Sequence, residues 1–143
     1  MARYYPVSPL FWTDARVRQW DDPTRMLALY LLTCPHRNLE GLFRLPLSYV
    51  TADLDWPMAK LREAMRQLED DEFLLRDKET DVVLIRRALK YQAPRSAKQI
   101  KGALSALAEV PASSVHDAFR EVCERYAPAL AEALDTHSEG VAA

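Results

Sequence analysis

The sequence predicts an α+β fold that is mostly helical, in which a helix-turn-helix and a β-hairpin precede a C-terminal helical extension. Apolar side chains recur at a 3.6-residue period over residues 57–70, which predicts an amphipathic helix. Two β-prone runs then flank a charged turn at 77–81, which predicts a hairpin. After residue 96 the patterns are helical again, and a length of 143 residues suits one domain with an extension.

The first elements are a short amphipathic segment and a central helix. The segment carries four large apolar side chains that are expected to cover a core: Phe11, Trp12, Val17 and Trp20. A helix is expected to begin at 21–23, because an Asp accepts hydrogen bonds from free helix N–H groups and a Pro fits the first turn. The apolar run 26–32 predicts that this helix is central, and Pro35 ends it.

A short strand and two helices follow. Residues 41–46 predict a strand whose terminal proline favours either the edge of a sheet or a switch into a helix. Residues 46–54 fit a short helix, after which Asp55 is expected to cap the helix at 57–70 and Pro57 to occupy its first turn. The apolar stripe of that helix is Met58, Leu61, Met65 and Leu68, and its opposite face carries Ala59, Lys60, Glu63, Arg66 and Gln67.

The hairpin completes the pattern of a winged helix-turn-helix. Its strands are expected at 73–76 and 82–86, and because both runs are largely apolar, the hairpin is expected to pack on the helices. Helix, strand, helix, tight turn, helix and hairpin is the winged-helix order, which here covers about 21–88.

The remainder predicts a helical extension. Ser96 and Ser114 are each placed to cap a helix, and Pro111 separates the two helices. The apolar faces are Ile100, Leu104 and Leu107 in the first, and Val115, Phe119, Val122 and Tyr126 in the second. We therefore expect a winged-helix domain with an N-terminal arm at 1–92, a helical extension at 93–136 and a disordered tail at 137–143.

Composition favours a cytoplasmic protein without a membrane partner. The chain lacks the roughly 20 consecutive apolar residues of a membrane span, and its start lacks the apolar run of a signal peptide. Cys34 and Cys123 lie far apart without CxxC spacing, so both are expected to be reduced and buried.

The charges are unevenly distributed although the net charge is only -2. Residues 61–80 carry four basic and seven acidic side chains, a balance of -3. Residues 81–101 carry six basic groups and one acid, a balance of +5, and residues 102–143 carry two basic and seven acidic groups, a balance of -5. A basic stretch between two acidic ones is compatible with nucleic-acid binding despite the slightly negative net charge of the whole chain.

No catalytic, metal or cofactor site is predicted. The three histidines, His36, His116 and His137, lie in different segments, and none has a second ligand at metal spacing. Serines do not occur in a nucleophile-elbow context. Consecutive carboxylates at 69–72 diverge in direction, so a solvated helix end is a better interpretation than a metal cluster. We therefore expect that the protein is not an enzyme.

Double-stranded DNA is the partner that this pattern favours. The exposed face of the second helix of a helix-turn-helix enters the major groove, while the wing contacts phosphates. That helix offers Lys60, Arg62, Arg66 and Gln67; the wing and the residues after it offer Arg76, Lys78, Arg86, Arg87 and Lys90. Arg95, Lys98 and Lys101 would extend the basic track.

Two other functions stay open. Glu63 lies in the middle of the presumed DNA-reading face, and a winged helix used only for protein contact would have much the same sequence. The alternatives are a transcriptional regulator of the same fold and a protein-only scaffold or dimerisation module. Apolar residues on the terminal helices permit a homodimer without requiring one.

Several spaced strings resemble one family. They are 11–14 (FWTD), 29–35 (LYLLTCP), 40–46 (EGLFRLP), 68–69 (LE), 76–77 (RD), 83–86 (VLIR) and 90–91 (KY). Together, over about residues 8–95, they are similar to the N-terminal domain of phage replisome organisers, the DnaD-like replication-initiation proteins.

The resemblance implies a winged helix that acts in the initiation of phage or prophage DNA replication in a bacterial host cell. Family members bind origin DNA, self-associate and help bring the replicative helicase or its loader to the origin. They usually carry a second, C-terminal domain with a tyrosine/tryptophan motif, and that motif is not recognisable after residue 96. The chain is therefore expected to be a short stand-alone version, a regulator or a dimerisation module.

Overall fold

Eight helices, one 3-10 turn and three strands make up residues 4–142, which the computed structural model describes with side chains through residue 137. The 3-10 turn is Pro9–Thr13. The helices are α1 Ala15–Gln19, α2 Asp22–Thr33, α3 Leu47–Leu54, α4 Met58–Asp70, α5 Ala88–Gln92, α6 Ala97–Ala108, α7 His116–Tyr126 and α8 Pro128–Ala142. The strands are β1 Leu42–Arg44, β2 Leu74–Arg76 and β3 Val82–Ile85. The α+β, mostly helical class predicted from the sequence is confirmed.

The three strands form one antiparallel sheet in the order β1-β3-β2. β1 therefore lies at an edge, as its terminal proline predicted. Leu84 pairs with Leu42 on one side and with Leu75 on the other, so these three leucines share one face. Because side chains alternate along a strand, Val83 and Ile85 lie on the opposite face.

Each face of the sheet is covered by its own layer of helices. Val83 and Ile85 pack with α2, α4 and the N-terminal arm, in a core that includes Leu27, Leu61 and Leu68. Val82 and Leu84 pack with α6, α7 and α8, in a core that includes Phe119 and Leu130. All four residues of β3 are buried. The expected packing of the hairpin on helices is thus present on both sides.

The extension shares its core with the hairpin. Leu42, Val82 and Leu84 are 0–1% exposed and supply the sheet's part of the core that α6–α8 complete. The boundary expected near residue 92, between the winged-helix domain and the extension, therefore passes through one shared hydrophobic core and does not separate two cores. α8 continues to Ala142, and Ala143 lies outside the described residues.

Gly41 lets the chain enter β1 beside α5. Its φ of 78° lies in the left-handed region, which glycine adopts without steric cost. A Cβ built at this position would lie 2.5 Å from the Cβ of Ala88 and 3.2 Å from the carbonyl oxygen of Ile85. Both the backbone conformation and the close approach of α5 therefore require glycine here.

The caps of α2 and α6 are where the sequence predicts them. The Asp21 carboxylate accepts a hydrogen bond from the Thr24 amide at 2.9 Å. Ser96 and Gln99 form a complete capping box at the start of α6. These caps depend on residues within three positions of each other, so the local sequence is sufficient to specify them.

Four local expectations are wrong. Asp55 does not cap α4; it ends α3 in the left-handed conformation with a φ of 54°, and Pro57 precedes α4 as its N-cap residue. Ser114 does not cap α7, whose N-cap is Val115 without a side-chain hydrogen bond. Trp12 does not cover the core but is 58% exposed, with its ring perpendicular to that of Phe11.

Within residues 4–142, no helix has the length and apolar composition that crossing a lipid bilayer requires.

Candidate nucleic-acid interface

Helix α4 presents one face to the core and the other to solvent. It packs on α2, α3 and β2, with Leu61, Ala64, Met65 and Leu68 buried. Met58, the first residue of the predicted apolar stripe, is 37% exposed because α4 begins there, at the rim of the core. The opposite face exposes Lys60, Arg62, Glu63 and Arg66 to solvent.

A hydrogen-bonded group of polar side chains joins α3 to α2, and α4 packs on both of these helices. The Tyr30 hydroxyl donates to the Asp53 carboxylate at 2.6 Å, and the ring of His36 lies 3.0 Å from the same oxygen. Burial and the hydrogen bond to Asp53 raise the pKa of Tyr30, and that bond lowers the pKa of Asp53. The Trp56 amide then donates to the Thr51 carbonyl at 3.2 Å and tightens the connection into α4.

Ion pairs reduce the positive potential of the exposed α4 face. Arg66 pairs with Glu63, through a very short contact, and with Asp70 at 3.1 Å. Hydrogen bonding to Glu63 raises the pKa of Arg66. Lys60 lies over the ring of Trp56, 4.6 Å from its centroid, and Arg62 is exposed. Lys60 and Arg62 are therefore better placed than Arg66 to meet a phosphate.

Gln67 and the acidic end of α4 hold the N-terminal arm. The Asp71 carboxylate accepts hydrogen bonds from Gln67 Nε2 at 3.0 Å and from Trp20 Nε1 at 2.5 Å. The backbone carbonyl oxygen of Asp71 accepts a further hydrogen bond from the Arg16 guanidinium group at 3.1 Å. Asp71 is thus a structural anchor and not a freely solvated helix end, and Gln67 is engaged with it. The sequence offers no local signal for a contact over 51 residues.

The hairpin turn carries one accessible cation. Lys78 is exposed. Arg76, in contrast, keeps only 12% of its side chain exposed and pairs with Asp81 at 3.0 Å, so its guanidinium group is not available to a phosphate. The turn itself is attached to the extension, because the Asp77 carboxylate accepts hydrogen bonds from the Ser113 hydroxyl and the Ser114 amide.

Arg86, Arg87 and Lys90 follow the end of β3, at the base of the hairpin. The Arg86 amide donates to the Phe73 carbonyl there. Arg86 is half-buried, and Arg87 is exposed with a guanidinium nitrogen 3.8 Å from Asp14. Lys90 is exposed, 5.6 Å from the ring centroid of Tyr91. A strand rises about 3.3 Å per residue, so base and turn lie on the order of 10 Å apart. Arg86, Arg87 and Lys90 therefore follow the end of the hairpin opposite to the turn that carries Lys78.

The remaining titratable side chains do not form a metal cluster. Among the residues that the structure describes, no three His, Cys, Asp or Glu side chains come together as a metal site would require. Cys34 and Cys123 are free and buried. Burial raises the pKa of Cys34, and it raises that of Cys123 to about 12, so neither thiol is activated as a nucleophile.

Comparison with known proteins gives no match: no protein-family model, curated protein sequence or solved structure is significantly similar to the chain.

Proposed function

We propose that the protein is a winged-helix DNA-binding protein that reads double-stranded DNA with α4. The observation that carries the proposal is the exposure of Lys60 and Arg62, which flank the outer face of α4 on its two sides, in a helix that follows α3 as the second helix of a helix-turn-helix would. The β1-β3-β2 sheet with its hairpin behind α4 is the arrangement in which a wing accompanies such a helix. Lys78, at the hairpin turn, supplies a further phosphate contact.

The packing of the extension supports this assignment. Helices α6, α7 and α8 share their core with the far face of the sheet, whereas the exposed residues of α4 are charged and lie on the other side of that helix's buried stripe. A major groove is about 12 Å wide and accepts a helix only if one face is uncovered. The outer face of α4 meets that condition.

The biological role that we propose is the initiation of phage or prophage DNA replication in the cytoplasm of a bacterial host. This part rests on the resemblance over residues 8–95 to replisome organisers. A replicative helicase or its loader is the protein partner that this role implies, and a transcriptional regulator of the same fold would use the same surface.

A protein-only scaffold is the second candidate. It is favoured by the pairing of Arg66 with Glu63 and Asp70, which neutralises part of the α4 face, and by the exposed Trp12. Large exposed aromatic side chains are typical of protein interfaces.

A gel-shift titration with DNA from around the protein's own gene, at two salt concentrations, tests the proposal. Each phosphate contact releases counterions, so affinity should fall steeply with salt. The double variant Lys60→Ala/Arg62→Ala should lose roughly tenfold or more in affinity, since a side chain that contacts a base edge contributes on the order of 1–3 kcal/mol. The comparison variant is Lys98→Ala/Lys101→Ala, which removes two exposed lysines of α6. These lysines belong to the extended basic track, but α6 packs on the sheet face away from α4, so the loss should be clearly smaller if α4 reads the groove.

Two results would contradict groove reading by α4. A complete absence of binding to any duplex, or binding without salt dependence, favours the scaffold. Equal losses in the α4 variant and the α6 control would assign the binding to general positive charge.

A further inference from the structure

A second, separate group of cations lines a cleft at the base of the hairpin. The cleft has a volume of about 260 Å³ and lies between α1, the start of β2, the end of β3 and α7. Its polar lining consists of Arg16, Arg86, Arg87 and Arg125, together with Glu72, Glu121 and Tyr126. Four guanidinium groups thus face two carboxylates, although the sequence places these arginines up to 109 residues apart.

The guanidinium groups of this cleft are incompletely neutralised. Arg16 and Arg87 share one carboxylate, that of Asp14, at 3.6 and 3.8 Å. Among the residues that the structure describes, no ion pair joins Arg86 or Arg125 to a carboxylate, and Arg125 instead lies 5.2 Å from the ring centroid of Tyr126. The cleft therefore keeps a positive charge that a bound anion would balance.

Arg86 also has a donor that the fold does not use. Its Nε is buried, and no hydrogen-bond acceptor for it exists among the described residues. A buried N–H group without an acceptor costs free energy, and most such groups in proteins are satisfied. An oxyanion in the cleft would meet Arg86 through the atoms that line it and not through the buried Nε, and arginine's planar donor geometry matches phosphate oxygens in particular.

We propose that this cleft is a binding site for a phosphate group, held by Arg86 and Arg125 with Arg16 and Arg87 at its margin. The proposal goes beyond DNA reading by α4 and does not depend on it. α4 ends at Asp70, ten residues after Lys60, which is about 15 Å along the helix at 1.5 Å per residue, and Glu72 of the cleft lies beyond that end. The phosphate belongs to a free polyphosphate or nucleotide, or to the phosphorylated end of a nucleic-acid strand; the chemistry recognised is the same.

Calorimetric titration of the full chain at low salt tests the site. The probes are pyrophosphate and two short single-stranded oligonucleotides that differ only in carrying a 5′ phosphate or a 5′ hydroxyl. Pyrophosphate should bind, and Arg86→Gln/Arg125→Gln should weaken it roughly tenfold or more, because charge-assisted hydrogen bonds are lost. Preference for the 5′-phosphorylated strand over free pyrophosphate would identify a strand end as the source, and the opposite preference a free phosphate compound.

Two controls keep the result interpretable. Arg86 is partly buried, so the double variant could fail to fold. The single variant Arg125→Gln then replaces it, because Arg125 is exposed; this variant should fold normally and still weaken pyrophosphate binding. Arg62→Gln removes an exposed arginine of α4 and should leave pyrophosphate binding unchanged while it reduces duplex binding. Undetectable pyrophosphate binding by the unaltered protein, or equal weakening by Arg62→Gln and Arg125→Gln, would overturn the proposal whatever the outcome for duplex DNA.

Discussion

The Asp77 carboxylate accepts a hydrogen bond of 2.8 Å from the hydroxyl of Ser113, 36 residues further along the chain. Asp77 lies in the hairpin turn and Ser113 just before α7, so this bond attaches the turn to the extension. The same carboxylate accepts hydrogen bonds from the Glu79 amide and the Thr80 hydroxyl, both at 2.9 Å. A single side chain thus organises the turn and joins it to the second layer of helices.

The stability that Asp77 provides should depend on pH. Hydrogen bonds from the Glu79 amide and from Ser113 lower the pKa of Asp77 below its ordinary value of 3.8. A carboxyl whose pKa is lower in the folded state stabilises the fold above the unfolded pKa and loses that effect as pH falls through the folded pKa. We expect Asp77→Ala to lower the Tm at pH 7, and the difference from the unaltered protein to shrink below about pH 3.8. Thermal unfolding followed by circular dichroism over pH 2–7 measures this. A difference that stays constant down to pH 2 would show that the ionised carboxylate is not responsible.

The two helical layers should unfold together. Leu84 is 0% exposed and lies on the face that α6–α8 cover, so Leu84→Ala should cost about 2–5 kcal/mol of unfolding free energy. All three tryptophans lie at or before residue 56, whereas far-ultraviolet circular dichroism also reports the helices after residue 96. Urea transitions from the two signals should coincide for the unaltered protein and shift together in the variant. The half-buried Leu75, on the same face, provides the control: Leu75→Ala should cost less. Separate transitions would mean that the layers are independent.

Two glycine substitutions should have opposite effects. Gly41→Ala places a side chain at a φ of 78° and within 2.5 Å of Ala88, and we expect a loss of roughly 2–4 kcal/mol of stability from backbone strain and overpacking. Gly102 is exposed within α6, and a Cβ there meets no atom within 4 Å. Gly102→Ala should therefore stabilise the protein by about 0.5–1 kcal/mol, since alanine favours a helix over glycine. Denaturant midpoints measure both; a stable Gly41→Ala variant would refute the close approach of α5 to Gly41.

Removing one carboxylate from α4 should strengthen DNA binding if α4 enters the groove. Glu63→Gln removes the anion paired with Arg66 and a repulsion toward phosphate. We expect affinity for duplex DNA to rise roughly threefold to tenfold and the salt dependence to become steeper, because Arg66 becomes available as a phosphate contact. The control is Glu132→Gln, which removes an exposed carboxylate from α8 and makes the same change in net charge. Equal gains in both variants would point to net charge and away from α4.

Features that depend on nearby residues were predictable from the sequence. The apolar stripe of α4, the Asp21 cap and the Ser96–Gln99 capping box each involve residues within one or a few helical turns, so the pattern is visible in a short window. The turn at Asp55 was not predicted correctly, because Asp serves both as an N-cap and as a residue that tolerates the left-handed conformation.

Features that depend on distant contacts were not predictable. Val82–Ile85 is apolar throughout, so the alternation that would assign residues to the two faces is hidden, and the coverage of both faces by helices does not show in the pattern. Arg16, Arg86 and Arg125 meet in one cleft only through the packing of α7 against the base of the hairpin. The meeting of Arg86 and Arg87 with Arg16 and Arg125 has the same origin, since a charge run along the chain does not fix where its members lie in space.

The burial of β3 between two helical layers has a consequence for stability and for hydrogen exchange. The cleft at the base of the hairpin receives Arg16 from the layer on one side of the sheet and Arg125 from the layer on the other. An anion held by Arg86 and Arg125, with Arg16 at the margin of the site, would bridge the sheet and the layers on its two sides, and its binding free energy would add to the stability of the whole molecule. The β3 amides, in the middle of this arrangement, would then exchange with solvent only when both layers open, so their protection would rise with the concentration of the bound anion.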